Sequence, residues 1–391
     1  MIDFNFCSPT KIYFGKGKEK EIGNILKERN AKKVLIIIGG SSARKSGLFD
    51  IVIDSLKDKG IDYRLLEGVR ANPEVKLGNE GIRLAKEYQP DYLLAVGGGS
   101  VMDTAKYIGV GYYYDGDAFD FNLHKVKPEK ALPLGVILTI SASGSEMSTS
   151  CVMQDDETGM KSGFNDELNR PAFVIENPEL TYSLPHNQTA FGIVDIIMHT
   201  LERYLQPSTE NEPADRFAEG LMKSVIQAGK KVMEDPCDYE ARAVLMLMSS
   251  LSHNGLTSIG KPMGMPVHAI EHALSGLYPS VAHGEGLAIL WPRWARYYLK
   301  YDVEKFDLLA KNVFNSYIED KMENGRKGIS LMEEFFISLK IPHSFKELNI
   351  QEEIDVEALA KRFSNDGTRV VAHHAKPMDR EVAKEIYQNC F

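Results

Sequence analysis

Cysteine is scarce in this 391-residue chain, and the four present, Cys7, Cys151, Cys237 and Cys390, form no CxxC pair. Such scattered cysteines fit a reducing cytoplasm better than a disulfide framework. Positive charge is also in deficit: 46 Lys and Arg face 55 Asp and Glu, for a formal net charge of −9. That balance argues against nucleic acid or an anionic membrane as the main partner. No apolar run approaches the roughly 20 residues of a membrane-spanning helix. The opening residues, Met1 to Phe6, have neither the basic segment nor the apolar stretch of a signal peptide. What is there is an ordinary globular composition, 43% hydrophobic and 26% charged, in a chain long enough for two domains.

The two halves follow different patterns. In the first, short β-branched runs alternate with amphipathic stretches: Val34 to Ile38, Tyr63 to Leu66, Tyr92 to Val96 and Val136 to Thr139 read as strands, with helical segments near 47–59 and 79–88 between them. Strands that are apolar throughout and separated by helices imply a parallel sheet covered on both faces. After Pro185 helical periodicity takes over, near 188–205, 215–233, 239–256, 267–277 and 303–317. We therefore divide the chain into an α/β domain, 1–185, and an all-helical domain, 186–391.

Three polar turns close the strands of the first half. Gly97, Gly98, Gly99 and Ser100 follow one strand and open a helix that carries Asp103 and Lys106. Glycines there let the backbone approach a phosphate, and the free N–H groups of a helix start favour its charge. The run is not GxGxxG, and such a turn also occurs for structural reasons alone. Thr139, Ile140, Ser143 and Ser145 lie in a second turn, whose hydroxyls either contact a cofactor or cap a helix. Gly39, Gly40, Ser41 and Ser42, followed by Arg44 and Lys45, form the third. At the carboxyl edge of a parallel sheet the three would border one crevice, the usual place for a nucleotide.

The second half concentrates histidine. Of ten in the chain, His268, His272 and His283 fall within sixteen positions. Asp195 and His199 are four apart, as are His268 and His272, so each pair shares a helix face. Asp195 sits among Val194, Ile196 and Ile197, where a carboxylate needs a metal or a cation as partner. Asp195, His199, His268 and His283 thus read as a mixed oxygen and nitrogen set for one divalent ion, Fe and Zn fitting almost equally. For any single histidine, a hydrogen-bonded role in the core remains the alternative.

Taken together, Gly97-Gly98-Gly99-Ser100 with Asp103 and Lys106, Ser143-Gly144-Ser145-Glu146, Asp195-x3-His199, and His268-x3-His272 followed by His283-Gly284 resemble the iron-containing (group III) alcohol dehydrogenases. The resemblance runs the length of the chain and points within that family to the butanol dehydrogenase-like, NAD(P)H-linked branch. It implies a dinucleotide-binding α/β domain, a helical domain and a catalytic metal, Fe(II) by family. It also implies reversible hydride transfer between a primary alcohol or aldehyde and a nicotinamide, and a homodimer. Carried over by position, Asp195, His199, His268 and His283 are the metal ligands. His272 becomes a histidine near the nicotinamide, able to relay a proton. Gly97 to Ser100, Asp103, Thr139, Ile140, Ser143, Ser145 and Lys161 become cofactor contacts. The stretch from His268 to His283 is one residue longer than the family's usual spacing, which places the extra residue at Tyr278 to Ser280.

Cofactor form is read from the turn after the first strand. An acidic residue there would hold a ribose 2′-OH and repel a 2′-phosphate. Gly39 occupies that position, with hydroxyl and basic residues following, so we expect NADP(H) to be preferred over NAD(H). The rival readings are a glycerol dehydrogenase or other polyol dehydrogenase, a dehydroquinate synthase, a metal-dependent hydrolase, and a nucleotide-binding module without activity. The last leaves the metal set unexplained.

Overall fold

The computed structural model describes residues 1–155, 157–206, 211–262, 264–371 and 376–391. The chain folds as two compact units: one comprises Cys7–Leu184, the other Pro185–Phe391 together with Met1–Phe6. A division of the sequence near residue 185 counts Met1–Phe6 with the α/β half. They lie instead in the helical unit, where the Ile2 N–H donates to the Gly260 carbonyl (3.1 Å).

The first unit is built on a six-stranded sheet of order β1-β8-β5-β4-β2-β3, parallel throughout. Its strands are β1 (Lys11–Phe14), β2 (Lys33–Ile38), β3 (Asp62–Leu66), β4 (Tyr92–Gly97), β5 (Leu134–Leu138) and β8 (Phe173–Glu176). Strand β2 shows why the apolar runs become central strands. Val34, Ile36 and Ile38 pack with Ile22, Leu26, Val52 and Leu56 of α1 (Ile22–Glu28) and α3 (Leu48–Asp58). Leu35 and Ile37 point to the opposite face and are equally buried. Each such side chain contributes about 1.5–3 kcal/mol on burial. The remaining helices of this unit are α2 (Ser42–Lys45), α4 (Val75–Tyr88), α5 (Gly99–Gly111) and α6 (Phe119–Asn122). An antiparallel hairpin, β6 (Ser150–Gln154) with β7 (Lys161–Asn165), stands apart from the main sheet.

The order of the strands has a direct consequence for the three polar turns. Strands β5, β4 and β2 are neighbours, with Gly97 opposite Leu138 and Ile38 opposite Val96. Residues 39–42, 97–100 and 139–145 therefore emerge side by side at the carboxyl edge of the sheet.

The second unit contains α7 (His186–Tyr204), α8 (Glu212–Glu234), α9 (Tyr239–His253), α10 (Pro266–Leu277), α11 (His283–Tyr298), α12 (Val303–Phe314), α13 (Lys321–Ser338), α14 (Val356–Phe363) and α15 (Arg380–Gln388). Sequence periodicity marks α7 to α10 and α12, but not α11 or α13 to α15. Helix α7 runs through the core, and every residue from Ile193 to Tyr204 is buried. Its polar members, Asp195, His199, Thr200, Glu202 and Arg203, are thus withdrawn from water and require partners.

Candidate metal centre and nucleotide edge

Three helices converge on Asp195. One turn along α7, His199 sets its Nδ1 3.3 Å from Asp195 Oδ1. From α10, His268 places Nε2 3.7 Å from the same oxygen. His283, the first residue of α11, brings its Nε2 to 3.7 Å as well. What lets α11 come so near is Gly284: a Cβ there would fall inside the Phe191 carbonyl of α7. Residues 278–282, where the extra residue of the His268–His283 spacing is expected, join α10 to α11.

The donor atoms are left without ordinary satisfaction. Asp195 Oδ1, His199 Nδ1 and His268 Nε2 are each buried with no hydrogen-bond partner. Asp195, His199 and His268 offer ligand atoms within 4.8 Å of one another. A buried carboxylate oxygen and two buried imidazole nitrogens aimed at one point are costly unless something positive lies between them. Fe(II) and Zn(II) both accept this donor chemistry. Burial drives His199 well below the ordinary imidazole range, and His253 and His268 push the same way, so the ring is neutral and able to donate. His268 is also pulled down by burial. Glu202 and Asp195 override that and raise it to about 9.

The back of each incoming ring is held by a carboxylate. Glu202, on α7, faces His268 Nδ1, and Glu271, on α10, faces His283 Nδ1. Neither glutamate stands out in the sequence. The available signal was their helical spacing, three residues beyond His199 and His268. Side-chain exposure rises from 6–8% for the other ligands to 28% at His283, which marks the open side of the set. His272 lies on that side, half-buried, its ring 5.5 Å from that of His283 and 6.4 Å from that of His268. It groups with Glu271 and His283 rather than with Asp195.

In the α/β unit, the glycines of the turn after β4 are needed for space as much as for any ligand. A Cβ on Gly98 would enter Ile140, and one on Gly99 would lie 2.7 Å from Ser143 Oγ. The turns after β4 and β5 are thereby pressed together, and the Thr139 N–H donates to the Gly97 carbonyl (3.2 Å). Ser100, Thr139, Ile140 and Ser143 remain half-buried at the edge, while Gly40, Ser41 and Ser42 are exposed.

Asp103 and Ser145, both expected as cofactor contacts, hydrogen-bond to each other. Ser145 Oγ donates to Asp103 (2.7 Å), whose other oxygen accepts from the Val152 N–H (3.2 Å). The buried Lys106 ammonium donates to Ser145 Oγ (2.7 Å) and to the carbonyls of Ser145, Ser148 and Ser150. Burial raises the Asp103 carboxyl and lowers the Lys106 amine, each offsetting the other. These three residues tie α5 to the segment entering the hairpin. Lys161, on β7, donates to Asn72 Oδ1 (3.1 Å) in the turn before α4.

The chain belongs to the iron-containing alcohol dehydrogenases. Residues 9–178 match the family model "Iron-containing alcohol dehydrogenase", and residues 189–391 match the family's C-terminal model. It is thus an alcohol dehydrogenase, an oxidoreductase by class. Among particular relatives, it is 38% identical over 393 residues to NADH-dependent butanol dehydrogenase A of Clostridium acetobutylicum, with all of both chains covered. It is 32% identical to the NADPH-dependent aldehyde reductase YqhD of Escherichia coli, covering 99% of each. The crystal structure of NADH-dependent butanol dehydrogenase A from Thermotoga maritima superposes with a TM-score of 0.94 at 34% identity, over 100% of this chain and 99% of that one.

Proposed function

We propose that this protein interconverts primary alcohols, such as butanol, and their aldehydes, using a divalent metal held by Asp195, His199, His268 and His283 and a nicotinamide cofactor bound by the α/β unit. One observation carries the reading: buried, unpartnered donor atoms from α7 and α10 point at one place, and His283 of α11 joins them. A metal bound there supplies Lewis acidity toward the substrate oxygen. Fe(II) is the ion we assign, following the family. Asp195 neutralises part of its charge, and the buried imidazoles keep it fixed.

His272, on the open side, is the proton carrier. With a nicotinamide bound to accept hydride, its imidazole would take the hydroxyl proton in alcohol oxidation and return it in aldehyde reduction. Gly97 to Ser100, with the N-terminal N–H groups of α5, bind the pyrophosphate. Thr139, Ile140 and Ser143 border the same edge, and Lys161 flanks it from the hairpin.

For the cofactor form we propose NADP(H). The exposed Gly40, Ser41, Ser42 and Lys45 leave room and positive charge for a 2′-phosphate, and Gly39 removes the carboxylate that would repel it. Arg44 is committed in part to Glu67, at 2.8 Å, so Lys45 and the serines carry the contact. The test is NADPH against NADH consumption at 340 nm across a panel of aldehydes with metal-defined protein. Higher kcat/KM with NADPH, lowered by Gly39→Asp, is expected. Equal or better efficiency with NADH, or an unchanged preference in the variant, refutes it.

The separate, unpaired cysteines support a reducing cytoplasm, and no described helix is long and apolar enough to cross a membrane. The exposed apolar side chains of Met1, Ile2, Phe4 and Phe6 support a homodimer. A monomer in sedimentation velocity would contradict that last reading.

A further inference from the structure

We propose that Glu202 and Glu271 are positioning residues that fix His268 and His283 with Nδ1 protonated and Nε2 presented to the metal, an inference that rests on the ligand assignment above. The two carboxylates occupy equivalent places. Glu202 lies behind His268 and Glu271 behind His283, each accepting from the ring nitrogen that faces away from Asp195. Both are fully buried, so neither is a solvated surface charge that happens to lie near a histidine.

Each also has a built environment. Glu202 accepts from the Val267 and His268 N–H groups at the start of α10, where free donors and the helix dipole favour an anion. The same side chain therefore sets both the position of α10 and the orientation of the ligand that α10 carries. Glu271 fits against Gly286 of α11, where a Cβ would meet its Cγ at 2.9 Å. A glycine at that point lets the carboxylate pass beneath α11 to reach His283. Imidazole can present either nitrogen, and a flipped ring or tautomer would point N–H at the metal instead of a lone pair. An anionic acceptor at Nδ1 removes that choice and makes Nε2 the stronger donor.

The experiment uses Zn(II) alone as the probe, with affinity measured by competition against a chromophoric chelator on the full-length protein. Glu202→Gln and Glu271→Gln, which keep size and hydrogen-bonding capacity but lose charge, should each weaken zinc binding about 10–100-fold. Gln variants that bind zinc as tightly as the wild type overturn the proposal. A variant that fails to fold is replaced by a measurement on the wild type: long-range 1H–15N spectra of the zinc-loaded protein should show Nδ1–H on both rings. Nε2–H on either ring overturns the proposal equally. His268→Ala separates this inference from the one beneath it. If that variant keeps its metal, the ligand assignment fails; if it loses metal while both Gln variants keep theirs, only the positioning role fails.

Discussion

At Asp195 a single carboxylate oxygen faces three imidazole nitrogens within 3.3–3.7 Å, and the chemistry assigned to this protein depends on what each ring then does. His268 and His283 are turned by carboxylates behind them, whereas His272 groups with Glu271 and His283 and not with Asp195. If it carries the proton, His272→Ala should lower kcat by about 10²-fold or more, while metal content stays at the wild-type level. Loss of metal in that variant would make His272 a ligand instead. The four ligands were legible in the sequence because histidine is rare here and the i,i+4 spacing forces side chains onto one helix face. Glu202 and Glu271 were not, because glutamate on a helix is ordinarily a solvated residue and only burial distinguishes these two. Asp103 and Ser145 were legible as a motif, but a motif does not say whether a side chain faces a ligand or the next strand. Here they face inward, toward Lys106 and Val152.

Among the elements, helix α11 determines whether the set closes, and periodicity did not reveal it. It carries Pro292 in its interior, opens at a histidine and a glycine, and is buried along most of its length, so no clean amphipathic stripe marks it. Its approach to α7 depends on Gly284. Gly284→Ala should push the helices apart, cost about 1–3 kcal/mol in urea unfolding, and weaken zinc binding with it. An unchanged metal affinity would show that the α7–α11 contact does not set the site.

A second inter-element tie makes a pH-dependent prediction. Lys261 Nζ, fully buried, donates to Asp215 of α8 (2.5 Å), as does Lys305 of α12 (2.5 Å). Burial outweighs the Asp215 bond and lowers the Lys261 amine to about 8. The unfolded chain then binds the proton more tightly than the native one, so stability rises as pH climbs from about 8 toward the unfolded value. Between pH 8 and 10, wild type should gain about 1 kcal/mol or more relative to Lys261→Met in paired urea titrations. A difference that is flat or falls over that interval contradicts the direction of the shift.

Over the whole molecule, the architecture was legible where burial is two-sided. Strands β2, β4 and β5 are apolar at nearly every position and could be read directly. Strand β1 is a four-residue edge with mixed exposure, and in the hairpin β6 alternates in burial while β7 is mostly half-buried. Neither type offers a continuous run. Strand β8 is fully buried, but its four residues, Phe173–Glu176, are too few to stand out. The carboxyl edge where the three turns meet followed from the parallel sheet, since adjacent parallel strands all deliver their turns to one side. The placement of Met1–Phe6 with the helical unit did not follow, because six residues carry no periodicity of their own.

The central claim is that turnover requires a metal held by Asp195, His199, His268 and His283. Its most direct test is to strip the purified protein with a chelator and titrate Fe(II) or Zn(II) back while following NADPH oxidation by butanal at 340 nm, with His268→Ala in parallel. Activity should vanish in the stripped protein and return in proportion to bound metal, reaching a plateau at one ion per chain, and His268→Ala should regain neither metal nor turnover. Full activity in metal-free protein, or a His268→Ala variant that binds metal and turns over like the wild type, would contradict it.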